Sequence, residues 1–320
     1  MEKTASRAPV VVTGGAGAIG SVLAGVLARE GHPVRVIDNL SSGRREAIAP
    51  LLSDGRVTLK VADVRNLDET IGEFRGAGSA WHLAANPDIR LGTADPTIDL
   101  ELGTIATFRF LEGCRRADVP TVLFSSSSVV YGMPSVFPTP EEYGPLAPES
   151  LYGASKLASE GLFSAYAHSY GLRAHVFRFA NIIGPGMTHG VIYDFFQKLA
   201  KEPARLEVLG DGRQSKSYLR VEECIDAMRF VEARSQEKVS LFNVGSADRV
   251  TAREIAEMVV AAHGGTARIE YTGGRQGWTG DIPQQLLDIG KLGRLGWTPR
   301  RTSRDAVELT VREMARARGR

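Results

Sequence analysis

"PVVVTGGAGAIGSVLAGVLAREG", residues 9–31, runs from a short β-rich stretch through a glycine turn into a segment of helical period. Ile19, Leu23, Val26 and Leu27 share one face of that helix. Gly14, Gly17 and Gly20 stand three apart, and Gly15, Gly17 and Gly20 spell G-x-G-x-x-G. Such glycines let a turn tighten, let the backbone approach a pyrophosphate, and set the helix close to the sheet with its N-terminus toward the phosphates. The next strand, "PVRVIDN", ends in Asp38, 24 residues after Gly14, where an acid accepts hydrogen bonds from an adenosine ribose. Together the two signals predict a dinucleotide site.

A carboxylate at Asp38 repels a 2′-phosphate, so NAD is favoured over NADP; Arg44 and Arg45 in the following "SSGRRE" loop leave the phosphorylated cofactor as the alternative. The alternation continues outward from this unit. "RVTLKVADV" reads as a third strand ending at Asp63, "AWHLAA" as a fourth, "VPTVLFSSSS" as a fifth and "RAHVFRFAN" as a sixth, with helical stretches between them. Right-handed crossovers then give an α/β fold, a doubly wound, mostly parallel Rossmann-type sheet. Ligands on such a sheet gather at the carboxyl ends of the strands. The expected cofactor contacts are therefore Gly14, Gly17, Ala18, Ile19 and Gly20 in the first turn, and Asp38, Asn39, Ser42 and Gly43 after the second strand. Asp63 and Val64 follow the third strand, and Leu83, Ala84 and Ala85 the fourth.

Composition narrows the classes. The chain has 320 residues, 43% of them hydrophobic, enough for one large or two unequal domains. A formal charge of +2 with no long basic tract argues against a nucleic-acid groove. Cys114 and Cys224 have neither a metal-ligand partner nor a redox partner at useful spacing, which points to buried thiols in a reducing compartment and to no metal. No run of about 18 apolar residues occurs, and "MEKTASRAPV" lacks the apolar region of a signal peptide, so the expected location is the cytoplasm.

Tyr152 and Lys156 in "YGASK" are four apart, on one face of a helix after the "APES" turn. A tyrosine with an ordinary pKa of about 10 is a poor base at neutral pH, and a nearby ammonium favours its phenolate. Beside NAD such a phenolate can take the proton of an alcohol whose carbon-bound hydrogen leaves as hydride. An ordinary surface pair is the bland alternative.

With "TGGAGAIG" at 13–20, "HLAA" at 82–85, the serine run "FSSSSVVYG" at 124–132 and Tyr152-x-x-x-Lys156, the chain from about Pro9 to about Glu313 resembles the extended short-chain dehydrogenase/reductase superfamily. "GPGMTHGVIYDF", "VLGDGRQSKSYLRVEECIDAM", "FNVGS" and "GWTGDIPQQLLDI" bring it nearest to the nucleotide-sugar 4-epimerases of the compact UDP-glucose type. That resemblance implies Ser127 as the hydroxyl assisting Tyr152 and Lys156, Ser128 lining the pocket, and Ser125 and Ser126 satisfying strand-end backbone. It implies Asn181, Lys216, Arg275 and, less firmly placed, Arg213 on the diphosphate. Val191 then opens a helix over the sugar, Val208 belongs to a strand bracketing the base, and Asp281 lies near the ribose. Residues 1–180 form the NAD-binding half, with about 215–245 returning to it, and 181–320 form mainly the smaller substrate lobe. The helices holding Ile105 to Cys114 and Ala154 to Tyr166 imply a homodimer through a four-helix seam.

Related dehydratases and decarboxylases carry acids after the helper hydroxyl; here those positions are Ser128 and Val129, which cannot serve. The resemblance therefore implies a UDP-hexose 4-epimerase acting through a transient 4-keto sugar. UDP-glucuronate or another nucleotide sugar, and a net NAD-dependent dehydrogenase or reductase, are the alternatives. Two departures bear on the substrate. The family's Asn-x-x-Gly-Thr reads Gly103-Thr104-Ile105-Ala106-Thr107 here, and the loop 186–189 is Gly-Met-Thr-His, with Thr188 where glucuronate epimerases use arginine and His189 beside it.

Overall fold

A computed structural model describes residues 7–277 and 281–319. The first strand, β1 (Val10–Thr13), is buried along its whole length and feeds the glycine turn and helix α1 (Ala18–Arg29). Six further strands complete the sheet: β2 (Val34–Asp38), β3 (Val57–Val61), β4 (Ser79–His82), β5 (Thr121–Ser127), β6 (Arg173–Phe179) and β7 (Val239–Val244). Their spatial order is β7-β6-β5-β4-β1-β2-β3. Neighbours from β3 to β5 pair in parallel, with Thr13 opposite both Ile37 and His82. The chain winds outward from β1 through β2 to β3, then returns to the other side of β1 at β4. Strand order thus reverses beside β1, which puts a ligand crevice at the ends of β1 and β4.

Two helices matter for the site. Helix α2 (Ala106–Arg116) is entered through a π-helical turn, Leu100–Ile105. Helix α3 (Leu151–Tyr170) begins where the Ser150 hydroxyl accepts the Gly153 amide at 3.1 Å and stops at Gly171, whose φ of +77° suits glycine. Phe110, Leu111 and Cys114 of α2 and Phe163 and Ala167 of α3 pack with Val11, Ala80, Val122 and Phe124 of the strands into one buried cluster.

The contacts divide the chain into two units. The first takes the residues up to Val130, Ser150–Phe177 and Val231–Leu241; the second takes Tyr131–Glu149, Arg178–Phe230 and Phe242 onward. Against a boundary near 180 with 215–245 returning, the returning piece is shorter, and residues 131–149 lie in the second unit because they bond there. The Asn243 amide donates to Glu141 and the Tyr131 hydroxyl to Asn243. The second unit has its own core. Phe195, Phe196 and Leu199 meet Ile255, Val259, Val307 and Val311 around the parallel strands Arg205–Val208 and Arg268–Tyr271. Among the described residues no helix is long and apolar enough to cross a membrane.

Candidate active site

The glycine turn closes on itself at the rim of the first unit. The Gly17 amide donates to the Gly14 carbonyl at 3.1 Å, and Gly14 has φ of +70°. A Cβ on Gly14 would lie 2.7 Å from the Ala84 amide, and one on Gly20 would overlap the Gly14 carbonyl. Ala18 and Ile19 open α1, whose first turn has neither a side-chain cap nor an acid. Those first amides suit an anion.

Asp38, 8% exposed, is held at the end of β2, where its carboxylate accepts the Ala16 and Leu40 amides, each at 2.9 Å. Gly43 packs against it: a Cβ there would sit 2.8 Å from both carboxylate oxygens, so a side chain at 43 does not fit. A carboxylate has about four acceptor positions, two of them used by these amides. The turn, the bare helix start and the remaining acceptor positions of Asp38 fit NAD. Asn39 and Ser42 are exposed on the same loop.

Asp63 is more engaged than the sequence suggested. Arg65 donates to it from its amide and guanidinium at 2.9–3.0 Å, and Asn39 adds a bond at 3.2 Å. The Arg65 bond holds its carboxyl below the usual carboxylate range. Arg65 also reaches Glu101 at 3.0 Å, so an arginine absent from the sequence-based site joins the end of β3 to the π-helical turn. Val64 is buried, and Leu83, Ala84 and Ala85 are half-buried at the end of β4.

The serine run and α3 meet beside this rim. Lys156, 3% exposed, donates to the Ser125 carbonyl at 2.7 Å, and its ammonium lies 4.8 Å from the Phe124 ring centre and 5.5 Å from that of Tyr152. Burial pushes that ammonium down to about 7, opposed by Glu160 and Asp99. The Tyr152 phenol is pushed up by burial and then by Asp99, opposite in sign to the lowering expected from an adjacent lysine. Ser125 bonds strand backbone, its hydroxyl donating to the His82 carbonyl at 3.1 Å. Ser126 does not. Its hydroxyl donates to the Glu160 carboxylate at 2.5 Å, because α3 brings that acid against the strand end. The Ser127 hydroxyl accepts only a long bond, 3.4 Å, from the Val129 amide; Ser127 and Ser128 are half-buried.

A buried polar chain lies beneath. His82, read from sequence only as strand, bonds Thr13 at 2.8 Å and Thr107 at 3.1 Å; Thr107 in turn bonds Ser159 at 3.0 Å. Burial, with the Lys156 charge adding to it, pushes His82 down to about 3, so it is a neutral connector between β1, α2 and α3. At Gly103, in the stretch that departs from the family's Asn-x-x-Gly-Thr, a Cβ would overlap Ser155 Oγ and lie 2.7 Å from Ser155 Cβ. Ser155 takes the space.

The remaining candidates belong to the second unit. Asn181 donates to the Ser217 carbonyl at 3.0 Å. Lys216 and Asp281, predicted to meet different parts of a ligand, pair with each other at 2.6 Å, and Asp281 also accepts the Gly277 amide at 3.0 Å. Val191 begins the helix Val191–Lys201, and the buried Val208 gives its carbonyl to the Thr272 amide at 3.0 Å. Arg213 is exposed. Arg275, also exposed, lines a cavity of about 490 Å³ with Gln276, Gln284, Met133 and Phe137. Trp278, Thr279 and Gly280 of the "GWTGDIP" stretch lie outside the described residues.

Residues 10–245 match the family model described as the NAD dependent epimerase/dehydratase family. A UDP-glucose 4-epimerase of Mycolicibacterium smegmatis is 31% identical over 94% of this chain and 96% of its own. A crystal structure of a UDP-galactose 4-epimerase superposes with a TM-score of 0.87 at 39% identity, covering 97% of this chain and 99% of the other. The dTDP-glucose 4,6-dehydratase DesIV of Streptomyces venezuelae, with NAD bound, gives the same TM-score at 28% identity, over 97% and 98% of the two chains.

Proposed function

The chain belongs to the NAD-dependent epimerase/dehydratase family, and from that premise we propose that it is a nucleotide-sugar 4-epimerase, with UDP-glucose and UDP-galactose as its substrate pair. One observation carries the choice within the family. Lys156 is bonded to the end of β5 and faces Tyr152, and the positions after Ser127 are Ser128 and Val129, neither of which can remove water or carbon dioxide as an acid or base. The two epimerases named above support the same choice.

The Gly14–Gly20 turn and the start of α1 hold the pyrophosphate of NAD, and Asp38 holds its ribose through the acceptor positions that the Ala16 and Leu40 amides leave. Bound NAD supplies the hydride acceptor and donor. Tyr152 takes the proton of the sugar C4 hydroxyl as its C4 hydrogen leaves, with Ser127 bonding the same oxygen. Once the 4-keto sugar presents its other face, Tyr152 returns the proton and Ser127 holds the oxygen of the inverted centre. Lys156 faces the Tyr152 ring and favours its phenolate electrostatically. Asn181, Lys216, Asp281 and Arg275 are assigned to the nucleotide diphosphate and ribose, Val191, Val208 and Arg213 to the nucleotide sugar as well, and Ser128 to the sugar.

We assign the assembly to a homodimer through α2 and α3. The exposed Leu100, Phe108 and Tyr170 on and beside these helices support it. The buried free thiols Cys114 and Cys224 support a reducing, cytoplasmic location.

The test is UDP-glucose deuterated at C4, incubated with the purified protein in ordinary water and followed by NMR and mass spectrometry. UDP-galactose should appear with its label retained and its mass unchanged. Label washout, loss of water or carbon dioxide, or stoichiometric NADH would overturn the epimerase reading, and a panel with UDP-glucuronate and N-acetylated sugars tests the substrate.

A further inference from the structure

Lys156 is an ammonium shut away from water without a carboxylate in contact. It is 3% exposed and bonds a neutral carbonyl, and among the described residues it makes no direct ion pair. Burial of this kind favours the uncharged amine. The two aromatic faces, Phe124 and Tyr152, offset part of that cost. Something further has to keep the charge in place if Tyr152 is to act as a base.

The end of β5 grips a cation and an anion on consecutive residues. The Ser125 carbonyl accepts Lys156, and the next residue, Ser126, donates its hydroxyl at 2.5 Å to Glu160. Glu160 is one helical turn beyond Lys156 in α3, so the two side chains share a face. It is 8% exposed, which makes its field little screened by water. The other charged or titratable groups that act on Lys156 are Asp99, which is 1% exposed, and His82, which stays neutral. Asp99 accepts the Asn86 amide with one oxygen and leaves the other without a bond, and burial pushes its carboxyl up, which weakens it as a permanent counter-charge.

We propose that Glu160 is a positioning residue for this reaction: fixed by Ser126, its carboxylate keeps Lys156 charged beside Tyr152. The proposal rests on the epimerase reading only for the role of Tyr152; the charge state of Lys156 is a property of the chain itself. Glu160 touches no substrate. It acts through Lys156, and Ser126 acts through Glu160.

The experiment is an NMR pH titration of lysine-labelled protein, with the Lys156 signal identified by its absence in Lys156→Met, alongside the alkaline limb of UDP-glucose turnover. An opposite charge within about 4–6 Å is worth about one to three pH units. In Glu160→Gln the Lys156 midpoint should therefore fall by at least about one pH unit, with the alkaline limb falling alongside it. Glu160→Asp should restore most of the shift, since it keeps the charge. Ser126→Ala, which leaves the helix untouched, should move the midpoint the same way by less, and it carries the test if Glu160→Gln does not fold. An unchanged Lys156 midpoint in the folded variants overturns the proposal. A shifted midpoint in a protein that epimerises no sugar would instead uphold the charge-holding role and overturn the function.

Discussion

Gly103→Ala adds one methyl group to the π-helical turn Leu100–Ile105, and the neighbour it meets lies between the two residues proposed to carry the chemistry. The added carbon would overlap Ser155 Oγ and lie 2.7 Å from Ser155 Cβ, while the next atom, Ser155 Cα, is 3.9 Å away. Turning the serine hydroxyl aside leaves the Cβ clash in place. Alanine is favoured over glycine in a helix by about 1 kcal/mol, and overpacking of a filled interior costs about 1–3 kcal/mol. Across most of that range the steric cost outweighs the gain, for a net loss of up to about 2 kcal/mol. Because Ser155 lies between Tyr152 and Lys156 on α3, the strain should also displace them, and a shift approaching ~1 Å costs about 10²-fold in rate. Ser155→Gly alone should cost about 0.5 kcal/mol through helix propensity. In that background Gly103→Ala meets only the 3.9 Å contact and should become stabilising. Urea unfolding of the four proteins gives the coupling, expected at about 1–3 kcal/mol in favour of the double variant, and epimerase assays should recover alongside it. Additivity within about 0.5 kcal/mol would refute the claim that Ser155 occupies the place of a side chain at 103.

Tyr152→Phe should keep the fold and bind NAD but lose turnover by about 10²–10⁴-fold, and Ser127→Ala should lose less because the proton acceptor remains. Turnover near the parental rate in Tyr152→Phe would remove it as the base. Asp38→Ala removes the acceptor of the Ala16 and Leu40 amides and the proposed ribose contact, each worth about 1.5–3 kcal/mol for a charged group. Titration calorimetry should show the parent preferring NAD to NADP and the variant binding NAD more weakly with that preference narrowed; equal affinities in the parent would contradict the assignment.

What could be read in advance was what is local in the chain. The glycine turn, the strands ending at Asp38 and at the serine run, and the four-residue step from Tyr152 to Lys156 each depend on spacing within one or two elements. All lie where expected. The site details that escaped depend on pairings between distant segments. His82 gave no sign of linking Thr13 to Thr107, since a histidine in an apolar strand reads the same whether or not it bridges. Arg65 carries no spacing signal, yet the fold turns it back onto Asp63. Lys216 and Asp281, 65 positions apart, were each read against a ligand, and nothing in their flanking residues reveals that they meet. Ser126 could be sorted from its neighbours only with α3 in place, because the acid it bonds is 34 residues away.

The strand end that holds Lys156 and Glu160 is written almost wholly in one letter. Ser125 offers a carbonyl to a cation, Ser126 a hydroxyl to an anion, and Ser127 a hydroxyl with only a long bond of its own. Side chains alternate across a sheet, so each of these tasks belongs to a place and not to a residue type. A slip of one position would leave a serine at nearly every site, yet it would turn Phe124 and Val129, which flank the run, to the opposite faces. In such a stretch composition is forgiving and length is not: the distance from Thr121 to Val129, counted in residues, is the quantity that the reaction depends on.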